Sequence, residues 1–179
     1  HRFRYRLRTM DTPRKIASRN PATGELLREF EATSLERVGA AFERAKTAQT
    51  LWAAQSPKKR AAHLLGLRET LLNHVDELAE ILSLENGKPK TEALTNELLP
   101  AIDMLTYFGH RAPRLLRDKR LQLHLLRHRQ STLNYWPLGV VAVISPWNYP
   151  FLLPFADILL ALVAGNAVIF KPSEHTSWI

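Results

Sequence analysis

Residues 137–174, PLGVVAVISPWNYPFLLPFADILLALVAGNAVIFKPSE, carry a single charge, Asp157, before Lys171. The run is apolar enough to suggest a membrane span, yet Pro146, Pro150 and Pro154 interrupt it. A spanning helix needs ~20 unbroken apolar residues, so a span is excluded. The pattern fits a buried strand over 140–144, a proline-bounded loop, a buried helix over 151–164 and a second buried strand over 167–170. VVAVI and AVIF are continuously apolar, as parallel strands covered on both faces are. Gly165-Asn166 closes the helix, which makes the unit a βαβ crossover. Two strands cannot form a sheet with two buried faces, so the unit reads as the start of a larger sheet. Asn148 and the group Lys171, Ser173 and Glu174 fall where the two strands end. That edge is where open α/β sheets bind ligands.

Upstream, residues 16–32 pattern as two short strands around Asn20-Pro-Ala-Thr-Gly24, a hairpin by turn chemistry. Ser34 can cap a helix whose apolar stripe is Leu35, Val38, Ala41, Phe42 and Ala45, continuing towards Leu51 and Trp52; Phe42 and Trp52 read as packing residues. Ser56-Pro57 starts a second helix, through Leu64, Leu65, Leu67, Leu71 and Leu72. A third runs from about Val75 to Leu84 and stops at Asn86-Gly87, a left-handed C-terminus. Residues 91–116 give a long helix with Leu94, Leu98, Ile102, Leu105 and Phe108 on one face, kinked or started late by Pro100. Over 121–136 the period changes to two, with Leu121, Leu123 and Leu125 alternating with Gln122 and His124, as in an extended ribbon.

The 179 residues are long enough for one domain with a real core. Half of the formal charge of +8 comes from Arg2, Arg4, Arg6 and Arg8, in a basic tail (residues 1–13) expected to be disordered. Without it the basicity is modest, and no patterned patch with stacking aromatics points to nucleic acid. The chain has no cysteine, so disulfides, thiolate metal sites and a cysteine nucleophile within it are excluded. It has no glycosylation sequon or secretory segment, and a cytoplasmic location is the default expectation. Gly87-Lys-Pro-Lys-Thr91 lacks the glycine and hydroxyl of a phosphate loop. His124 and His128 have metal-like spacing but lie in an extended segment, where that spacing does not converge, so no metal site is expected.

A turn asparagine such as Asn148 commonly bonds its own backbone. The second element favours a site. Lys171-Pro172-Ser173-Glu174 follows the next strand at once, and an acidic residue just past a strand of a nucleotide-binding sheet bonds ribose hydroxyls.

NPATGE at 20–25, ENGKP at 85–89, GVVAVISPWNYP and ALVAGNAVIFKPSE, in the family's order, resemble the aldehyde dehydrogenase superfamily. The resemblance implies NAD(P)-dependent oxidation of an aldehyde to a carboxylic acid, and assembly into dimers or tetramers through a β-ribbon. The implied fold class is α/β: hairpin, helices, ribbon arm, then the first βαβ of a Rossmann-like parallel sheet, incomplete. Residues 14–118 become the hairpin and helical part of the cofactor-binding domain, 119–136 the ribbon arm, and 137–179 the first βαβ. Asn148 matches the oxyanion-hole asparagine. Ile144, Ser145, Pro146 and Trp147 match backbone and wall positions beside the cofactor, and Lys171, Ser173 and Glu174 match the adenosine-ribose site. A carboxylate there repels a 2′-phosphate, which favours NAD, with NADP also compatible. The family's mechanism uses a cysteine nucleophile and a glutamate that activates water; this chain has no cysteine. The expectation is an amino-terminal fragment of an aldehyde dehydrogenase, inactive alone. The alternative is a non-catalytic module that pairs with full-length relatives.

Overall fold

The computed structural model describes residues 14–126 and 128–179. The basic tail expected to be disordered lies outside the described residues. The chain opens with an antiparallel hairpin, β1 (Lys15–Arg19) and β2 (Leu26–Glu31). The Asn20 side chain accepts the Ala22 N–H at 2.9 Å, and the Asn20 N–H donates to Glu25 O at 2.9 Å. The turn is therefore built from the residues the sequence singled out.

Helices follow: α1 (Leu35–Ala53), α2 (Pro57–Leu65), α3 (Leu67–Asn73) and α4 (Val75–Asn86). Ser34 caps α1 by accepting the Arg37 N–H, and Ser56 caps α2 by accepting the Lys59 N–H, both at 3.3 Å. The single helix expected over 57–72 is two, broken at Gly66. The long helix expected over 91–116 is also divided, into α5 (Lys90–Ala93), a wide turn (Leu94–Leu98) and α6 (Leu99–Leu115). In the wide turn the Leu99 N–H reaches back to Leu94 O. Pro100, which has no N–H and crowds the preceding turn, follows directly. The kink expected near Pro100 thus takes the form of one inserted residue.

Two apolar clusters hold these helices. One joins Ala61, Leu64, Leu105, Ala112, Leu159 and Val163, with Trp52 and Phe108 packed against it. The other joins Ala79, Leu82, Ala93 and Leu98, with Phe151 and Ile179 at its side. Helix α1 buries no residue fully, and Phe42, expected on a packing face, is exposed with Leu35, Val38 and Leu51. The C-terminal end of α1 is tied down by Trp52 Nε1 donating to Leu162 O at 2.8 Å and Gln49 Nε2 to Gly165 O at 3.1 Å.

Past α6, β3 (Lys119–Leu121) pairs antiparallel with β4 (Ser131–Leu133). The ribbon is shorter than the leucine alternation suggested: Leu121 is in the strand, whereas Leu123 and Leu125 lie in the connection, with Leu125 95% exposed. A period of two produces a strand only where a neighbouring backbone completes the ladder. His124 and His128 are exposed in the same connection.

The last unit is the expected crossover: β5 (Val140–Ile144), α7 (Leu152–Val163) and β6 (Ala167–Lys171), with β5 and β6 parallel neighbours. Gly165, at φ +97°, ends α7, and a Cβ there would stand 3.2 Å from the Arg60 guanidinium carbon. Arg60 is buried; its Nε donates to Val163 O at 3.1 Å, and its guanidinium also reaches Ala53 O and Gln55 O. Burial pushes the Arg60 pKa down. A cation held at the carbonyl end of α7 complements the helix dipole. Asn166 locks the junction by accepting the Gly139 N–H and donating to Ala161 O, both at 3.0 Å. Among the described residues no helix is long and apolar enough to cross a membrane.

Candidate functional site

The site grows from the register of the crossover. Val140 pairs with Ala167 and Ile144 with Lys171, so the two strands finish level with one another. The Ser145 N–H then donates to Lys171 O at 3.1 Å, extending the pairing by one bond into the loop. The segments carrying Asn148 and Glu174 therefore leave the same end of one parallel pair. Ser145 is buried, and its hydroxyl donates to Pro146 O at 3.0 Å. Ile144 and Trp147 are exposed, offering two apolar surfaces at that end.

Asn148 is exposed, and among the described residues its side-chain amide has no hydrogen-bond partner. It does not follow the self-bonded turn pattern. Its backbone is held instead: Asn148 O accepts Lys88 Nζ at 3.0 Å, and Trp147 O accepts Asn86 Nδ2 at 2.7 Å.

On the other segment, Lys171 and Glu174 approach at 3.5 Å, both largely exposed. A hydrogen bond from its own backbone N–H, and then the Lys171 charge, hold the Glu174 carboxyl below the usual carboxylate range. Glu174 is thus an ionised acceptor aimed at solvent. Ser173 is buried, and its hydroxyl accepts the His175 N–H at 3.2 Å, a turn that fixes the loop carrying Glu174.

Four supporting residues were not singled out as site residues. Glu85, Lys88 and Glu97 are buried, and Lys88 forms an ion pair with Glu97. Glu97 Oε2 accepts the backbone N–H groups of Phe151 at 2.8 Å and Leu152 at 3.1 Å, serving the otherwise uncapped start of α7. Glu85 accepts the Ser18 hydroxyl at 2.6 Å, the Trp178 N–H at 2.9 Å and the Ile179 N–H at 3.0 Å. Asn86 completes the group through Trp147 O. Gly87, at φ +82°, turns the chain so that Asn86 and Lys88 both reach the Asn148 loop. Lys88 in Gly87-Lys88-Pro89 is thus a buried tether, in keeping with the rejection of a phosphate loop.

A family model described as "Aldehyde dehydrogenase family" matches residues 8–179. A 4,4'-diapolycopene aldehyde oxidase of Methylomonas sp is 41% identical over 161 residues, which cover 89% of this chain and 30% of that protein. The aldehyde dehydrogenase of Brucella melitensis biovar abortus 2308 superposes with a TM-score of 0.84 at 29% identity, over 91% of this chain and 33% of that one. An aldehyde dehydrogenase of Bacillus cereus, solved as its NAD+ complex, superposes with a TM-score of 0.83 at 26% identity, over 92% of this chain and 33% of its own. This chain therefore spans about a third of the length of the relatives it matches. With hairpin, helices and parallel pair in the same order and a matching model along almost its whole length, the chain belongs to the aldehyde dehydrogenase family.

Proposed function

We propose that this chain contributes the oxyanion donor and the adenosine-ribose contacts of an enzyme that oxidises an aldehyde to a carboxylic acid with NAD(P)+. The observation that carries this is the level pairing of Ile144 with Lys171, which brings an unengaged amide and an ionised carboxylate to one sheet edge. The donor set suits a dinucleotide. Glu174 and Lys171 offer an acceptor and a donor to ribose hydroxyls, and Ile144 and Trp147 offer apolar walls. The anionic Glu174 disfavours a 2′-phosphate, so NAD is the preferred form. The nicotinamide, when bound, accepts the hydride.

Asn148 serves the other half of the reaction. Addition of a thiolate to an aldehyde turns the carbonyl oxygen into an alkoxide, and a fixed amide N–H aimed at it lowers the barrier. The thiolate comes from outside these residues, since they include no cysteine. In this proposal residues 14–118 and 137–179 build the cofactor side of the enzyme. Residues 119–136 form the arm through which subunits pair as dimers or tetramers, in a cytoplasmic setting.

The test compares the 179-residue chain with the complete enzyme that joins it to a cysteine-bearing segment. The chain alone, given an aldehyde and NAD+, yields no NADH. In the complete enzyme Asn148→Ala lowers kcat by ~100- to 1,000-fold, the usual loss for one oxyanion donor. Sustained NADH formation by the chain alone, or an Asn148→Ala enzyme of undiminished rate, overturns the proposal.

A further inference from the structure

We propose that turn 85–88, acting with Glu97, is the positioning unit of this site: Lys88 and Glu97 set where the Asn148 amide stands, and Glu85 sets the segment that follows Glu174. The inference rests on the oxyanion role of Asn148 proposed above.

A lysine 6% exposed and a glutamate fully buried are a poor way to gain stability. Stripping water from both ions costs about as much as their attraction returns, so apolar residues of the same size would serve a purely structural purpose as well. What apolar residues could not do is hold backbone. Lys88 Nζ donates to Asn148 O and lies 4.6 Å from the Tyr149 ring centre. Glu97 grips the Phe151 and Leu152 N–H groups from the other side. Asn86 takes Trp147 O. The backbone of 147–152 is thus fastened at four polar groups, while the Asn148 side chain is left without a protein partner. A fixed backbone bearing a free amide is what a preorganised donor requires.

Glu85, three residues before Lys88, does the same for the second segment. Its two oxygens take the Trp178 and Ile179 N–H groups, and the Ser18 hydroxyl secures it from the hairpin. Helix α4 thereby ends in a fork with one prong on each half of the site. Each prong acts through a different group, so their losses should separate in kinetics, whereas general loosening would not separate them.

The experiment uses the complete enzyme, steady-state kinetics with aldehyde and NAD+, and a direct NAD+ titration. Lys88→Met and Glu97→Gln are expected to lower kcat by ~10- to 100-fold, the scale of a donor displaced by up to an ångström, with NAD+ affinity within about twofold. Glu85→Gln is expected to weaken NAD+ binding ~5- to 10-fold with kcat within about twofold, because a neutral amide holds the two N–H groups less firmly than a carboxylate. Lys88→Met/Glu97→Gln leaves no unpaired buried charge, so it tests the role even if a single variant does not fold. It is expected to be no slower than the slower single variant. Equal losses of kcat and NAD+ affinity in every variant, or unchanged kcat in the Lys88 and Glu97 variants while Asn148→Ala is slow, overturn the positioning role alone. An Asn148→Ala enzyme of full rate overturns the reading of Asn148 and this inference with it.

Discussion

Replacing Gly87 by alanine tests the joint between hairpin and helices with two separable energies. Gly87 sits at φ +82°, and a Cβ there would lie 2.7 Å from Pro21 Cγ at the hairpin tip. The left-handed conformation costs a residue with a Cβ about 1–2 kcal/mol. Forcing a methyl against the proline ring adds the overpacking penalty, about 1–3 kcal/mol, part of it relieved by movement of the exposed tip. Gly87→Ala should therefore destabilise the chain by about 2–4 kcal/mol. For a chain of this size that is a fall in Tm of roughly 5–15 °C. Urea unfolding followed by far-UV circular dichroism measures it directly. Pro21→Ala in the Gly87→Ala background removes the ring carbon and should return the collision energy, leaving about 1–2 kcal/mol of backbone strain. A Gly87→Ala chain within about 0.5 kcal/mol of the parent would mean that the turn is not held as described, given the ordinary scatter of surface substitutions.

Leu105, fully buried in the larger cluster, should cost about 2–5 kcal/mol when cut to alanine, read from the same urea transitions. Asn166→Ala strips the Gly139 N–H of its partner, while the Ala161 carbonyl keeps the Asn166 backbone N–H, and should cost about 1–3 kcal/mol, with faster amide exchange at Gly139 as its local signature. Glu174, whose pKa is depressed in the folded chain, contributes stability that is present above its unfolded pKa and is lost as pH falls through the folded value. An NMR titration of its carboxyl carbon should give a midpoint below 4.5. Lys171→Met should raise that midpoint without restoring 4.5, because the backbone N–H of Glu174 is the larger cause; a variant titrating at 4.5 or above would contradict this.

Features governed by neighbours in sequence were legible. Asn20-Pro-Ala-Thr-Gly24 makes its hairpin, Ser34 and Ser56 cap their helices, and Gly87 and Gly165 stop theirs. The alternation of apolar strands with an apolar helix sufficed for the crossover and brought the segments of Asn148 and Glu174 to one edge. The supporting charges were not legible. Lys88 looks like an ordinary turn charge and Glu97 like a solvated helix charge, and the groups that give them meaning lie 60 residues on at Asn148 and 54 on at Phe151. One clue existed: Glu97 adjoins Leu98 on the apolar stripe, where a solvated carboxylate has no place. The ribbon is shorter than expected for a different reason. Leu123 and Leu125 alternate correctly, but among the described residues no strand pairs with them to form a ladder.

The wide turn over Leu94–Leu98 makes length count separately from chemistry. Ala93 and Leu98, five apart, both enter the smaller cluster, while Leu105 and Ala112 beyond the turn enter the larger. Thr95 and Asn96 face water in between, so almost any exchange there should pass unnoticed. Losing either one outright would restore regular winding and leave Glu97 two places after Leu94 instead of three, turned out of the position from which it reaches Lys88. Homologous chains should therefore drift freely in identity at these two places, yet conserve their number.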